Sequence, residues 1–258
     1  FFQKPLLVRC GYEFYDFSRR QNRSSIFQIF AYCISWFAYT NADLINVASV
    51  SDQILIEKEF KIDKAFIEYR PNWIDTAIYK NFSLEKNNRV LFVGRLNDQK
   101  NIPLLLDSMA DTGITLDIVG DGELRDPLRK LVLKKNVKVN FLGSIPNNEM
   151  PEHYNMYKVY VLCSRYEGNP KTLLEAMACE GAVIGTDVPG ISEVVRHEKS
   201  GLLVQEDQDS LRSAILRLMS DQVICTKIGQ QARRQIIENN SLESALNNEY
   251  SAYNRLNE

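Results

Sequence analysis

The sequence is poor in the residues that build metal centres and covalent staples. It has two histidines, His153 and His197, too far apart to form a local metal motif. Its five cysteines, Cys10, Cys33, Cys163, Cys179 and Cys225, are scattered, and none forms a C-x-x-C pair. That set argues against a disulfide framework or a zinc ribbon and suits a reducing compartment. Broad positive charge is also missing. Lys and Arg number 31 against 33 Asp and Glu, so nothing favours nucleic acid as a partner. Internal repeats and low-complexity tracts are absent. No signal-peptide pattern opens the chain and Phe1 is not a natural start, so truncation at the N-terminus is expected.

What is present is ordinary soluble α/β material: 258 residues, 45% hydrophobic and 25% charged, enough for two domains with sizeable cores. The most informative stretch is Tyr166-Glu167-Gly168-Asn169-Pro170-Lys171-Thr172-Leu173-Leu174-Glu175. Gly168 and Pro170 punctuate a loop, which rules out one continuous helix from Glu167 to Glu175. Asn169 is a good N-cap and Pro170 suits the first helical position. Glu167 is therefore expected in a loop and Glu175 about 7.5 Å along a helix. The N–H groups of Lys171, Thr172 and Leu173 would face outward at the helix start, where an anion binds well. Two carboxylates flanking an anion site suit a phosphate between two hydroxyl-bearing rings, as in a nucleotide sugar. The plainer alternative is a capped, Leu-rich core helix with a surface Glu at each end.

The same logic applies upstream. Arg89-Val90-Leu91-Phe92-Val93 reads as a strand, followed by a loop holding Gly94, Arg95 and Lys100 and a helix capped by Asn101. Val137 to Gly143 reads as another strand, with Ser144-Ile145-Pro146 at its exit. Strands alternating with helices imply parallel sheets covered on both faces, with ligands at the carboxyl ends of the strands. Loops 94–100, 144–146 and 167–172 all fall there. Gly120-Asp121-Gly122 is by itself only a tight turn.

Residues 24–42 carry no charge and follow Arg19, Arg20 and Arg23. Ser24, Ser25, Gln28, Ser35, Thr40 and Asn41 interrupt the run, which argues against a membrane span. The spacing predicts a helix with Ile26, Phe27, Phe30, Ile34 and Phe37 on its apolar side, mostly buried in protein. The alternative is a helix lying on a membrane surface.

Glu167-Gly168-Asn169-Pro170-Lys171-Thr172-Leu173-Leu174-Glu175-Ala176-Met177-Ala178 resembles the E-x7-E motif of the retaining glycosyltransferases of family 4 (glycosyl transferases group 1). Gly94 to Asn101 is similar to the family's G-R-L-x-x-x-K-(G/N) loop. Pro71-Asn72-Trp73-Ile74-Asp75 is similar to the P-N-x-[IV]-D that closes its first domain, and residues 189–194 to its G-G-x-x-E-(VI) turn and helix. The resemblance covers 89–204 well and 5–75 loosely. It implies an α/β fold of GT-B type: two Rossmann-like domains, the first one incomplete, with parallel sheets and helices on both faces. The expected boundaries are 1–80 for the end of the acceptor-side domain, 81–88 for a linker, 89–240 for the nucleotide-sugar domain, and 241–258 for a C-terminal helix returning to the first.

By that resemblance the protein moves a sugar from a nucleotide diphosphate donor to a glycan, lipid or other hydroxyl acceptor in polysaccharide biosynthesis. Configuration is retained, and no cofactor or metal is needed. Glu167 is the catalytic residue, contacting sugar hydroxyls and the anomeric centre. Gly94, Arg95, Lys100, Ile145, Asn169, Pro170, Lys171, Thr172 and Glu175 bind the donor, with Arg95 and Lys100 on the diphosphate and Glu175 on the ribose. Near the family's sugar-contacting His this chain has Arg9 and Cys10. The implied setting is cytoplasmic, or peripheral at the inner face of a membrane. The chain by itself is expected to bind donor weakly and transfer nothing measurable until its N-terminal segment is restored. Two rivals are a non-catalytic nucleotide-sugar-binding module and a sugar-nucleotide epimerase on the same scaffold.

Overall fold

A computed structural model describes residues 5–257; the expected truncation at Phe1 lies outside them. The chain divides into two compact units, residues 1–72 with 245–258, and residues 73–244.

The first unit carries a three-stranded parallel sheet, β1 (Leu7–Cys10), β2 (Leu44–Val47) and β3 (Ile67–Tyr69), in that order. Leu7 pairs with Leu44, and Ile45 with Ile67. Between the strands run α1 (Phe14–Arg20), α2 (Ser25–Thr40) and α3 (Val50–Phe60). Ser24 caps α2 by accepting from Phe27 N, and Ser49 caps α3 by accepting from Asp52 N. Val8, Cys10, Ile45, Val47, Ile56, Phe60 and Ile67 pack into one small core.

The α2 helix forms where the spacing predicts it, but it is not buried on its apolar side. Ile26, Phe30, Ile34 and Phe37 are exposed, while Ala31, Ser35 and Tyr39 face inward. The cause is a buried carboxylate. Glu13 caps α1 and accepts hydrogen bonds from Ser35 Oγ at 2.7 Å and Tyr39 Oη at 3.3 Å. That anchoring fixes the rotation of the helix, since a buried carboxylate stripped of its donors is costly.

The second unit is a six-stranded, wholly parallel sheet in the order β6-β5-β4-β7-β8-β9. The strands are β4 (Asn87–Val93), β5 (Thr115–Val119), β6 (Lys138–Gly143), β7 (Tyr157–Leu162), β8 (Ala182–Thr186) and β9 (Leu202–Val204). The helices are α4 (Ile102–Met109), α5 (Arg125–Lys134), α6 (Met150–Asn155), α7 (Lys171–Ala178), α8 (Gln208–Ser220) and α9 (Gln222–Asn239). Residues Val90–Val93, Val159–Leu162 and Ala182–Ile184 are buried strand segments, as a sheet covered on both faces requires. Leu105, Leu106, Leu173, Leu174, Ile215 and Ile236 close over them. Residues 189–194 form turns, not the expected turn and helix.

The expected linker at 81–88 lies inside this unit. Asn81 Nδ2 donates to Glu180, Phe82 N to Asn155 Oδ1, and Lys86 Nζ to the Glu180 carbonyl. These polar residues form a strap, and the division falls earlier, at Asn72/Trp73. The last helix, α10 (Leu242–Asn257), groups with the first unit from Ala245 onward, where Glu249 pairs with Arg9 at 3.0 Å.

Candidate active site

In the six-stranded sheet β5 and β6 extend to one side of β4, and β7, β8 and β9 to the other. Chain direction across the sheet reverses between β4 and β7. At such a switch point the loops leaving the two strands diverge and open a crevice at their carboxyl ends. The loop after β4 carries Gly94, Arg95 and Lys100, and the loop after β7 carries Glu167, Asn169 and Pro170.

These two loops are bonded to each other. Arg165 N donates to the Gln99 carbonyl at 2.9 Å, and Gln99 Nε2 to the Tyr166 carbonyl at 2.9 Å. Glu167 sits between them, buried, accepting from Lys100 Nζ at 2.5 Å and Ser164 Oγ at 2.6 Å. Gln99 Nε2 reaches its other oxygen at 3.5 Å. Beneath, Gly190 has φ +81°, and a Cβ there would lie 2.3 Å from the carbonyl oxygens of Glu167 and Gly168. Only glycine meets both demands, so Gly190 sets the height of the Glu167 loop.

On the β5 side of the crevice Gly120, at φ +129°, lies so close that a Cβ would stand 2.0 Å from the Gly94 carbonyl oxygen. The Gly120-Asp121-Gly122 turn is thus a close approach of the loop after β5 to the loop after β4. Composition alone marked it as a turn only.

The α7 helix begins one residue later than expected. Pro170 is its N-cap, with φ −75° and ψ 108°, and Asn169 precedes it with a buried side chain. Proline has no side-chain cap to offer, so the first turn tightens, and Leu173 N donates back to the Pro170 carbonyl at 3.1 Å. Of the three N–H groups expected to face outward, that of Leu173 is therefore used. The Lys171 ammonium lies over the Trp73 ring, 5.2 Å from its centroid. Tyr160 Oη donates to Thr172 Oγ1 at 2.8 Å and fixes that hydroxyl.

Glu175 lies on α7 as expected, and accepts from Tyr154 Oη at 2.8 Å. Burial raises its carboxyl above the ordinary value, against the lowering effect of the Tyr154 hydrogen bond and the Lys171 charge. Burial likewise pushes the Tyr154 hydroxyl well up, so it stays a donor. Tyr79 packs on Tyr154 and donates to Asn147 Oδ1 at 3.2 Å.

Gly94, Arg95, Ile145, Thr172 and Glu175 line one open cavity of about 370 Å³, together with Asp121, Asn147 and Met150. Lys100, Glu167, Asn169, Pro170 and Lys171 do not line it. Lys100 and Glu167 form the ion pair described above, on the loops after β4 and β7. Arg95 is exposed and has no ion-pair partner among the described residues. Of the residues that sequence reasoning missed, Gly190 and Tyr154 lie 23 and 13 positions from Glu167, and only the fold brings them in. A larger cavity, about 610 Å³, borders Lys86, Lys158 and Glu180 beside the amino ends of β4, β7 and β8. It holds none of the expected site residues and lies on the wrong rim for a ligand of such a sheet.

Residues 74–235 match the family of glycosyl transferases group 1. The chain belongs to this family. The GT-B fold follows, with α/β units and parallel sheets as expected. One relative is a Campylobacter jejuni enzyme, GalNAc-alpha-(1->4)-GalNAc-alpha-(1->3)-diNAcBac-PP-undecaprenol alpha-1,4-N-acetyl-D-galactosaminyltransferase. It is 30% identical over 206 residues, 77% of this chain and 56% of that protein. Another is the Staphylococcus aureus poly(ribitol-phosphate) alpha-N-acetylglucosaminyltransferase, 27% identical over 224 residues, 83% of this chain and 45% of that protein. The chain thus spans about half the length of the curated relatives it matches. Among solved structures, Anabaena HepE in complex with UDP-glucose superposes with a TM-score of 0.85 at 18% identity, covering 97% of this chain and 72% of that one. The matched span, residues 74–235, includes both loops joined at the switch point.

Proposed function

We propose that this chain carries the donor half of a retaining glycosyltransferase that uses a nucleotide diphosphate sugar. The observation that carries the reading is the joining of Lys100 and Glu167 across the switch point, next to a cavity bounded by Arg95, Thr172 and Glu175. A diphosphate leaving group gains negative charge as its bond to the sugar breaks. Arg95, Lys100 and the start of α7 at Lys171 and Thr172 are the groups that would stabilise it, without a metal or cofactor. Glu175, held by Tyr154, would accept the ribose hydroxyls. Ile145 and Asn147 border the place of the base, with Gly94 leaving room for the phosphates. Glu167 would face the sugar, and once Lys100 turns to the diphosphate, its carboxylate is freed to stabilise positive charge at the anomeric carbon.

Support comes also from the names of similar proteins: an undecaprenol-linked glycan in one, poly(ribitol-phosphate) in another, UDP-glucose in a third. We therefore infer a glycan or lipid-linked acceptor, polysaccharide assembly as the process, and a cytoplasmic setting with peripheral membrane contact. A thermal-shift and calorimetry panel of nucleotide sugars tests the reading. A rise in melting temperature with at least one nucleotide sugar, lost in Glu175→Gln, is expected. No shift with any of the panel, at concentrations where the nucleoside diphosphates also fail, would overturn it.

A further inference from the structure

Asn101 follows Lys100 and stands at the N-cap position of α4, yet its side chain makes no cap bond to that helix. Asparagine at such a position ordinarily accepts from a backbone N–H two or three residues on. Here the amide is turned elsewhere, and the backbone is left-handed, with φ 49° and ψ 40°, in a residue 5% exposed. A residue with a Cβ keeps that conformation where its surroundings hold it. What holds it can be named. Asn101 Oδ1 accepts from Arg165 Nη2 at 3.2 Å, and Asn101 Nδ2 donates to Glu206 Oε1 at 2.9 Å. Arg165 closes the triangle by donating from Nη1 to the same Glu206 oxygen at 2.6 Å. The planar guanidinium can serve both acceptors at once, which an ammonium matches poorly. Beneath the triangle, buried Cys163 directs its Sγ to the carbonyls of Lys100 and Asn101, at 3.3 and 3.4 Å.

Three loops of the second unit meet here. Asn101 follows β4, Cys163 and Arg165 follow β7, and Glu206 follows β9, the edge strand of the sheet. Glu206 is anchored from both sides: Asp187 N donates to the Val204 carbonyl at 2.7 Å, and Asp207 caps α8 by accepting from Ser210 N at 2.9 Å. Asn101, Arg165 and Glu206 do not line the nucleotide cavity. They fix the backbone on the far side of Lys100, while Lys100 N is tied to the Asn97 carbonyl at 3.2 Å. Held at both ends, the residue points its ammonium to Glu167.

We propose that Asn101, Arg165 and Glu206 are positioning residues that set the place of the Lys100 ammonium, and through it the affinity of the site for a diphosphate. This rests on the reading of Lys100 as a diphosphate ligand, and it brings the loop after β9 into the donor machinery from outside the cavity.

Glu206 gives the sharpest test, because field and position predict opposite signs. Acting through its field alone, a carboxylate repels a nearby diphosphate, so Glu206→Ala would tighten binding. Acting through the triangle, the same change releases Arg165 and Asn101 and weakens binding. The probe is UDP, titrated by calorimetry into the full 258-residue chain. Glu206→Ala should weaken it about fivefold. Glu206→Gln should stay within about twofold of the starting chain, since both bonds fall on one oxygen that the amide retains. In a Lys100→Ala background, Glu206→Ala should change affinity less than about twofold, which a general loosening of the unit would not reproduce. The melting temperature should hardly move, because the Arg165–Glu206 pair is partly exposed. Tighter or unaltered UDP binding in Glu206→Ala would overturn the proposal, as would an effect of equal size without Lys100. If Lys100→Ala weakens binding and Glu206→Ala does not, this proposal falls alone; if Lys100→Ala changes nothing, the reading of Lys100 falls with it. Hydrogen exchange needs no ligand: the amides of Lys100, Asn101 and Arg165 should exchange faster in Glu206→Ala and not in Glu206→Gln. Unaltered exchange in both variants would overturn the proposal whether or not UDP binds.

Discussion

Two helices of similar chemistry are used in opposite ways. The α7 helix buries Leu173, Leu174 and Met177 and presents its polar end, with Thr172 and Glu175, to a cavity. The α2 helix buries Ser35 and Tyr39 and presents its aromatics to the outside. Hydrophobic spacing is the same kind of signal in both. What differs is the partner waiting in the core: the apolar strands β7 and β8 for α7, a carboxylate for α2. The lesson is that periodicity fixes which residues share a face, while the neighbouring elements decide which way that face turns.

The largest expected effect sharpens this contrast directly. Leu174→Ala should destabilise the second unit by about 2–5 kcal/mol, the cost of a cavity at a fully buried site. Phe30→Ala, a larger deletion, should change stability by less than about 0.5 kcal/mol because that ring is exposed. Urea melts of both variants decide it, and similar losses would show that α2 is packed after all.

Next comes the acidic cluster beneath α2. Asp52 is buried beside Glu13, and burial lifts its carboxyl from an ordinary 3.8 to about 6. The folded state therefore holds that proton more tightly than the unfolded chain. Stability from this group is greatest below the ordinary value and falls as pH rises through about 6, by on the order of 3 kcal/mol. Asp52→Asn should flatten the melting profile of the first unit across that window. An unchanged slope would assign the pH dependence to other groups.

Of intermediate size are the cations of the second unit. Lys100→Ala and Arg95→Ala should each weaken nucleotide-sugar binding by about 1.5–3 kcal/mol, the range for hydrogen bonds to charged groups. Calorimetry with unchanged affinity in both would remove them from the site. The smallest effect is expected for Tyr154→Phe. Losing the hydroxyl that steadies Glu175 should cost about 1 kcal/mol in affinity for nucleotide and nucleotide sugar alike. A loss confined to the sugar-bearing ligand would move Glu175 away from the ribose.

Much of this arrangement was legible in the chain. Gly168 and Pro170 broke the stretch between the two glutamates, so Glu167 falls in a loop and Glu175 on a helix. Alternating strands and helices from Arg89 onward gave the parallel sheet, and hence the rim on which the loops meet. Other features depended on contacts distant in sequence. Nothing local in Pro189-Gly190 announces that the Glu167 loop rests on it. The polar stretch 81–88 had the composition of a linker, yet its amides and amine satisfy groups on Glu180 and Asn155. The expected cap at Asn169 moved to Pro170 because the Asn169 side chain is buried.

The strand order of the second unit has a further consequence. Ile145 and Asn147 leave the edge strand β6, whereas Glu167 leaves β7, and two strands, β5 and β4, stand between them. Changes made in one loop share no hydrogen bond with the other among the described contacts. Substitutions at Asn147 and at Ser164 should thus be separable, their free energies adding within about 0.5 kcal/mol. The sheet acts as an insulator: exchange of the segment at 144–147 for one of different shape would retune one end of a bound ligand while the chemistry at the other end keeps its setting.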